Sequence, residues 1–464
     1  MTTIDPSVTA EEFTRMPTVE SYLRLDRAPT PPSVLLERST EDLGNERIPK
    51  QAYTSREVHE REKELIWKKV WLVACRENDI PRVGDQVPFD IVGQSILLIR
   101  SEDGIKAFHN TCQHRGNKLV TEPTSASGVR CSFHGWAWNL DGSIRSVPCR
   151  WDYPGMTDQE IRLPEVQVDT WNGFVFVNLD PDAAPLADYL GDELVRHWKH
   201  WDRTRAWKAA HIGKVVPCNW KLTLEAFLEV YHTVATHPEA LFGSGDCNTQ
   251  YDMYGLHQRL ITAMGVPSPH LGDVPQQDVV DHLLGETGAS SMFGEEVPLP
   301  QVGDDGNARQ AVADFTRAGL GARTGVDFSG VSDSEMVDII QYFVFPNFQP
   351  WGGYSYPMAY RVRPNGDDHR SSIFEMMLLV PMPDGAELPR DAPLRMTDPD
   401  LPWGAEAELG GFGPVADQDM FNLNKIQMGV ESDGFSGMRY SNLQERNIRN
   451  FHRNLRRFLE RGGS

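Results

Sequence analysis

The sequence predicts an α+β protein, an all-β block followed by a region that mixes long helices with antiparallel strands. Three observations point there. From about Val73 to Asp180 the chain runs in short apolar or alternating stretches, SILLIRSEDGIKAF, WNLDGSI and WNGFVFVNLDPD, each broken by Asp-Gly, Asn-Gly or Asp-Pro. After Pro181 the pattern becomes helical, above all in NWKLTLEAFLEVYHTVATHPEAL, Asn219 to Leu241, where His237-Pro238 marks the stop. Strand patterns then return in IIQYFVFPNF, GYSYPMAYRVRP and SSIFEMMLLVPMP.

The other elements follow in chain order. A polar, Pro-rich start (RAPTPPSV, Arg27 to Val34) reads as an extended arm. SREVHEREKELIWKKVW, Ser55 to Trp71, reads as an amphipathic helix with a Ser cap and Val58, Leu65, Ile66 and Val70 near one face. The Gly-, Asp- and Ser-rich middle, roughly Gly265 to Ser334, reads as long loops over a pocket. The stretch from about Asp417 to Glu460 reads as helical, ending on a basic turn. These shifts divide the chain into an arm over 1–50, a β domain over 51–180 and a second domain over 181–464. The arm is expected to pack on the second domain or on a neighbouring subunit.

Composition narrows the function classes. The 464 residues carry 45 Lys and Arg against 66 Asp and Glu, a net charge of −21, which argues against nucleic acid or an anionic membrane as partner. No apolar run approaches the ~20 residues of a membrane span, and the start has no signal-peptide pattern, so a cytoplasmic location is expected. Six cysteines in such a chain do not make a disulfide framework. Two of them have ligand-type neighbours. Cys149 does not, and reads as a buried structural cysteine.

The first constellation is Cys112-Gln-His114-Arg-Gly and then, with sixteen residues between His114 and the next thiol, Cys131-Ser-Phe-His134-Gly-Trp. Two Cys and two His can hold one Zn²⁺, or a [2Fe–2S] cluster with both thiolates on one iron and both imidazoles on the other. Zinc fingers usually group Cys with Cys and His with His. Here each short loop supplies one of each, which fits two loops facing each other across a cluster of the Rieske kind.

The second constellation lies in the long helix, where Glu225, Glu229 and His232 fall at i, i+4 and i+7 and so share a face. His237 comes five residues after His232, about 140° further round at ~3.6 residues per turn, so both imidazoles reach one metal only if the helix distorts or ends between them. Two His and a carboxylate form the facial triad of non-haem Fe(II) oxygenases. The carboxylate must come from elsewhere, and Asp417, Asp419, Glu431 and Asp433 are candidates.

C-x-H-x16-C-x-x-H followed by NWK-x3-E-x3-E-x-Y-H-x4-H resembles the catalytic α (large) subunit of Rieske non-haem iron oxygenases, the aromatic ring-hydroxylating dioxygenases and their monooxygenase relatives. The resemblance runs over roughly residues 50 to 460. It implies a Rieske domain of small sheets and a helix-grip catalytic domain, with Cys112, His114, Cys131 and His134 on the [2Fe–2S] cluster. His232 and His237 match the iron histidines. The carboxylate ligand follows a Gln in the family, and Gln418-Asp419 fits that pattern, which selects Asp419 as the third ligand of the mononuclear Fe(II). Glu229 matches the carboxylate that connects the iron His to a Rieske His of the neighbouring subunit in a trimer. Many aromatic dihydroxylases carry Asp there, with Asn directly after the earlier Glu and one more residue between; this chain has Ala226 and the shorter spacing. That departure opens O- or N-demethylation and monohydroxylation beside dioxygenation.

The implied function is a terminal oxygenase that uses O₂ and electrons from NAD(P)H on a small hydrophobic, aromatic-type substrate. The chain has no G-x-G-x-x-G opening a βαβ unit, so a ferredoxin, a flavin reductase or both are expected to deliver the electrons. A homotrimer or a multiple of it is implied, with or without a β subunit. Two rivals are a Rieske electron carrier with an inert fused domain and a binding protein with a degenerate iron site. Iron content separates them, about three atoms per chain for the oxygenase and about two for either rival. Phe343, Phe345, Phe348, Trp351, Tyr354 and Tyr356, with the loop from Met264 to His270, are the candidate pocket wall, though alternating aromatics are equally what a buried sheet contains.

Overall fold

The structure is a computed structural model that describes residues 16–286, 298–303 and 306–461. The β part holds three small antiparallel sheets. One pairs 167–171 and 174–178 with Leu72–Arg76; a second orders Gly104–His109, Gln94–Ser101, Asp85–Ile91 and Thr124–Ser125. The third, 129–130 with 137–138 and 144–146, is the smallest, and both Cys-His loops emerge beside it. Ile96 and Leu98 on one face and Leu97 and Ile99 on the other are fully buried, so Gln94–Ser101 is a central strand packed on both sides.

The second part is built on a five-stranded sheet in the order 348–350, 358–365, 368–381, 206–216, 395–396, of which only the last pairing is parallel. A three-stranded sheet, 250–254, 257–262 and 339–343, abuts it through the bridges Gln341 to Trp351 and Val344 to Phe348. One core unites the second part with the β part through Trp67, Trp220, Phe374 and Phe451. Arg361, 4% exposed, fixes the junction by donating to the Val73 and Ala74 carbonyls while paired to Glu375.

Residues 1–15 of the expected arm lie outside those described. The rest lies on the second part of the same chain, with Arg27 on Asp333 and Arg259 donating to the Val34 and Glu37 carbonyls. Helix α1, Arg56–Glu62, is capped by the Ser55 hydroxyl as expected and runs on as one wide turn to Trp67. It stops there rather than at Trp71, because residues 70–73 enter the core as the chain turns into a strand.

The continuous helix expected from Asn219 to Leu241 is not found. Helix α2 spans only Trp220–Glu225, and the chain then turns through 226–232 into one short turn, Thr233–Thr236, and a tighter one, Pro238–Phe242. The middle also departs from expectation. Within 265–334 a 17-residue helix, α3 (Ala308–Thr324), forms between an Asn307 cap and the left-handed Gly325. Its Ala308, Val312, Ala313 and Leu320 are buried at helical spacing, a pattern hidden in sequence by flanking glycines. The C-terminal stretch divides at Ser432 into α4, Phe412–Glu431, and α5, Arg446–Arg461. Among the described residues, no helix is long and apolar enough to cross a membrane.

Candidate metal centres

The two Cys-His loops are built alike. In each, a glycine with positive φ, Gly116 and Gly135, returns its N–H to the carbonyl of the Cys that opens the loop, at 2.9 and 3.1 Å. These turns bring like donors together. The Cys112 and Cys131 thiols interact directly, and the His114 and His134 rings lie 4.6 Å apart. His114 stacks on Trp136 at 4.9 Å, which fixes its plane. Burial raises the Cys131 thiol, but the N–H groups of Phe133 and His134, with the Cys112 thiol and the Asn117 amide at 3.6 Å, outweigh it and pull the thiol below its usual range. Burial raises the Cys112 thiol and its shared hydrogen bond with Cys131 adds to the rise, so it is Cys131 that these donors tip towards thiolate, the form that ligates metal. Sulfur paired with sulfur and imidazole with imidazole is the donor set a mixed-ligand [2Fe–2S] cluster needs.

The second centre depends on the broken helix. The ends of α2 and of the Thr233–Thr236 turn swing His232 and His237 together, with ring centroids 5.2 Å apart. Asp419, buried on α4, completes the set, its Oδ1 lying 3.4 Å from His232 Nε2 and 2.9 Å from His237 Nε2. The three donors all lie within 4.8 Å of one another. Each imidazole is held from behind: His232 Nδ1–H donates to Glu229 at 2.6 Å, and His237 Nδ1–H donates to the Gln418 side-chain carbonyl, also at 2.6 Å. Both Nε2 atoms therefore face a carboxylate oxygen, an arrangement that a cation between them satisfies, a metal ion or, without one, a proton. The same electrostatics appear as pKa shifts. Burial alone would lower His232, yet the Glu229 and Asp419 carboxylates raise it to about 10. Burial would raise Asp419, but the two histidines hold it below its ordinary value.

Of the other carboxylate candidates, Asp417 accepts the N–H groups of Trp403 and Gly404, and Glu431 pairs with Arg370 on the surface. Glu225 does not share a face with Glu229 and His232. Because α2 ends at Glu225, its carboxylate turns into a separate buried cluster, accepting from Tyr53 at 3.1 Å, His452 at 2.6 Å and Tyr440. Cys149 is exposed, not buried; it opens a surface turn in the left-handed region, φ 53°.

A cavity of about 400 Å³ opens over His232, His237 and Asp419. Of the expected wall, Trp351, Tyr356 and Met264 line it, whereas Phe343, Phe345 and Phe348 are core residues. Phe227, Tyr360 and Phe412 line it without having been singled out in sequence. Gln418 likewise emerges only from the structure as the residue that orients His237, although its place one residue before Asp419 was its signal.

The chain was compared with known proteins. Residues 70–157 match the Rieske [2Fe-2S] domain, and residues 195–461 match the ring hydroxylating alpha subunit (catalytic domain). The carnitine monooxygenase oxygenase subunit of Escherichia coli (strain K12) is 31% identical over 194 residues, 41% of this chain and 52% of that protein. The large oxygenase component of the naphthalene 1,2-dioxygenase system of Pseudomonas putida is 32% identical over 253 residues, 50% of this chain and 56% of that protein. The chain thus spans about half the length of the curated relatives it matches. Among solved structures, a quaternary ammonium Rieske monooxygenase in complex with L-carnitine superposes with a TM-score of 0.62 at 18% identity, over 90% of this chain and 96% of that one. Naphthalene 1,2-dioxygenase with indole bound gives 0.59 at 20%, over 90% and 93%. At those identities the likeness is one of fold.

Proposed function

Because the chain belongs to the ring hydroxylating alpha subunit family and carries a Rieske [2Fe-2S] domain, we propose that it is the terminal oxygenase of a system that hydroxylates a hydrophobic, aromatic-type organic substrate with O₂. The observation that carries this reading is the pair of donor sets in separate domains, one of two thiols and two imidazoles, the other of two imidazoles and a carboxylate beneath a largely apolar cavity. Cys112, His114, Cys131 and His134 would hold the cluster, and His232, His237 and Asp419 the iron. Bound together, the two centres would supply electron relay and O₂ activation beside the substrate. The protein's part is positioning. Glu229 and Gln418 fix the two imidazoles with Nε2 inward, and such partners typically matter about 10–100-fold for a metal site. The apolar walls exclude water and seat the substrate over the donors.

We assign Glu229 the further role of bridging to His134 of a neighbouring copy in a trimer. His134 and Phe133 are exposed, and Glu229, itself buried, lies two residues before the exposed Tyr231, so a neighbouring copy would approach it there. A ferredoxin, a flavin reductase or both would deliver the electrons, and a cytoplasmic setting suits six free cysteines. A second reading, monooxygenation including N- or O-demethylation, is favoured by Ala226 and the short Glu225–His232 spacing, and its monooxygenase part by the relatives named carnitine monooxygenase. Product analysis under ¹⁸O₂ with the purified reductase chain decides between them. A cis-diol with both oxygens labelled establishes dioxygenation, aldehyde release establishes demethylation, and substrate-independent NAD(P)H consumption with no labelled product refutes the oxygenase reading.

A further inference from the structure

Behind the cavity wall lies a third group of metal-type donors, built from none of the residues of the two proposed centres. The segments 241–249 and 263–270 run side by side there, paired in an isolated antiparallel bridge between Ser244 and Met264, and both of those residues line the cavity. Just beyond the bridge, Asp246 and Cys247 sit in a tight turn, Asp246–Asn248, and His270 comes across from the loop that follows Gly265. One carboxylate oxygen, the Cys247 thiol and one imidazole nitrogen all lie within 4.8 Å of one another.

Hydrogen bonding among the three does not account for this meeting. The Asp246 and His270 side chains are 2% and 10% exposed, and Cys247 is 7% exposed, so little water reaches them. Asp246 Oδ2 and His270 Nε2 stand 3.9 Å apart, too far for a hydrogen bond. The Cys247 thiol has no side-chain partner among the described residues. The carboxylate is nevertheless aimed. The Ser268 hydroxyl donates to Asp246 Oδ1 at 2.6 Å, which leaves Oδ2 turned to His270, and Ser268 is itself fixed by the His270 N–H at 3.1 Å. Holding a carboxylate by its other oxygen is how a metal ligand is oriented. The turn is anchored too, with the Thr249 hydroxyl on the Asp246 carbonyl and the Gln444 amide on the Cys247 carbonyl, each at 2.7 Å. Three buried donors of different kinds thus surround one point, and a cation there satisfies all three.

We propose that Asp246, Cys247 and His270 form a zinc site that clips the loop after Gly265 to the turn at 246–248 and so holds the cavity wall at Ser244 and Met264. One sulfur, one nitrogen and one carboxylate oxygen suit tetrahedral Zn²⁺ with a water in the fourth position, whereas Ca²⁺ and Mg²⁺ take oxygen donors. Bonds of about 2.0–2.3 Å in a tetrahedron set the donors about 3.4–3.6 Å apart. The Asp246–His270 pair at 3.9 Å therefore needs only a small closure. Residues 265–275 form neither helix nor strand, so a clip at His270 would fix a segment that has no ladder of its own.

The test reads metal rather than turnover. The full chain is expressed with iron and zinc both supplied, dialysed, and its metals counted by mass spectrometry. About one zinc per chain is expected, and zinc X-ray absorption should show one sulfur at about 2.3 Å beside lighter donors at about 2.0–2.2 Å. The sulfur count is decisive. Zinc misplaced among Cys112, His114, Cys131 and His134 would show two sulfurs, and zinc at His232, His237 and Asp419 would show none. Cys247→Ala and Asp246→Asn should each lose the zinc with the Rieske EPR signal kept, and amide hydrogen exchange over 265–275 should become faster. Zinc at background level, a sulfur count of two or none, iron in the place of zinc, or full zinc in Cys247→Ala overturns the proposal. The absorption spectrum of the unmodified chain decides even where a variant fails to fold. None of these readouts depends on whether the chain is an oxygenase.

Discussion

At the scale of single residues, the proposed iron site is a set of tautomers imposed from behind. Glu229 and Gln418 each take an Nδ1–H, so both imidazoles are committed to present Nε2 inward before any metal arrives. Glu229→Gln keeps the shape but removes the charge. Reoxidation of the reduced cluster by substrate and O₂ should then slow about 10–100-fold while both metals stay bound; an unmodified rate would reduce Glu229 to a carboxylate that only holds the turn 226–232. Asp419→Ala should lower iron by about one atom per chain and abolish turnover, leaving the Rieske EPR signal intact, because the two donor sets lie in different domains. Full iron content in that variant would move the carboxylate role elsewhere. The two donor sets were legible in sequence because each depends on short spacings. The orienting role of Gln418 was not, since its meaning lies in a partner, His237, far back along the chain.

At the scale of elements, local signals read well and packing overrode them where a helix had to break. The Ser55 cap of α1 is a purely local device and forms as its sequence indicates. The segment after α2 has good helical propensity, yet continuing the helix would turn His237 away from His232, and the chain instead turns at 226–232 and closes on Pro238. Glu225 is the residue this reading misplaced. It ends the helix and anchors it to the two C-terminal side chains Tyr440 and His452 and to Tyr53 near α1. A second anchor joins α1 to α2 directly, where Lys221 pairs with Glu62 at 2.7 Å with both side chains 1% exposed, and Trp220 donates to the same carboxylate at 3.0 Å. Removing one partner of such a pair strands a buried charge, so Glu62→Gln should cost about 3–5 kcal/mol in urea unfolding. A loss under about 1 kcal/mol would show that water reaches Lys221.

At the scale of the whole molecule, buried histidines and the surface beside the proposed metal centres set two different dependences. His197, His211 and His257 are each pushed down to about 4, first by burial, with Arg259 adding to the effect at His197 and Lys208 at His211. An unfolded His takes its proton near pH 6.5, so below that value the unfolded chain binds protons the folded one refuses. Stability should therefore be level above about pH 6.5 and fall as pH drops towards 4, by up to about 3 kcal/mol per histidine, and His211→Gln should flatten part of that slope in denaturant titrations. The second dependence is on neighbours. His134 is exposed with Phe133 beside it at 59%, and Tyr231 is 52% exposed next to the Glu229–His232 pair, so each proposed centre offers aromatic surface that another copy could cover. If the cluster of one copy serves the iron of the next, two inactive chains can complement each other. Co-expressing differently tagged His134→Ala and Asp419→Ala chains and purifying through both tags gives mixed trimers, each with one junction in which an intact cluster meets an intact iron site. Such trimers should recover about a third of normal turnover, since a closed ring of three has one productive junction in three. A route within each chain predicts no recovery at all, because every chain in the mixture then lacks one of its two centres.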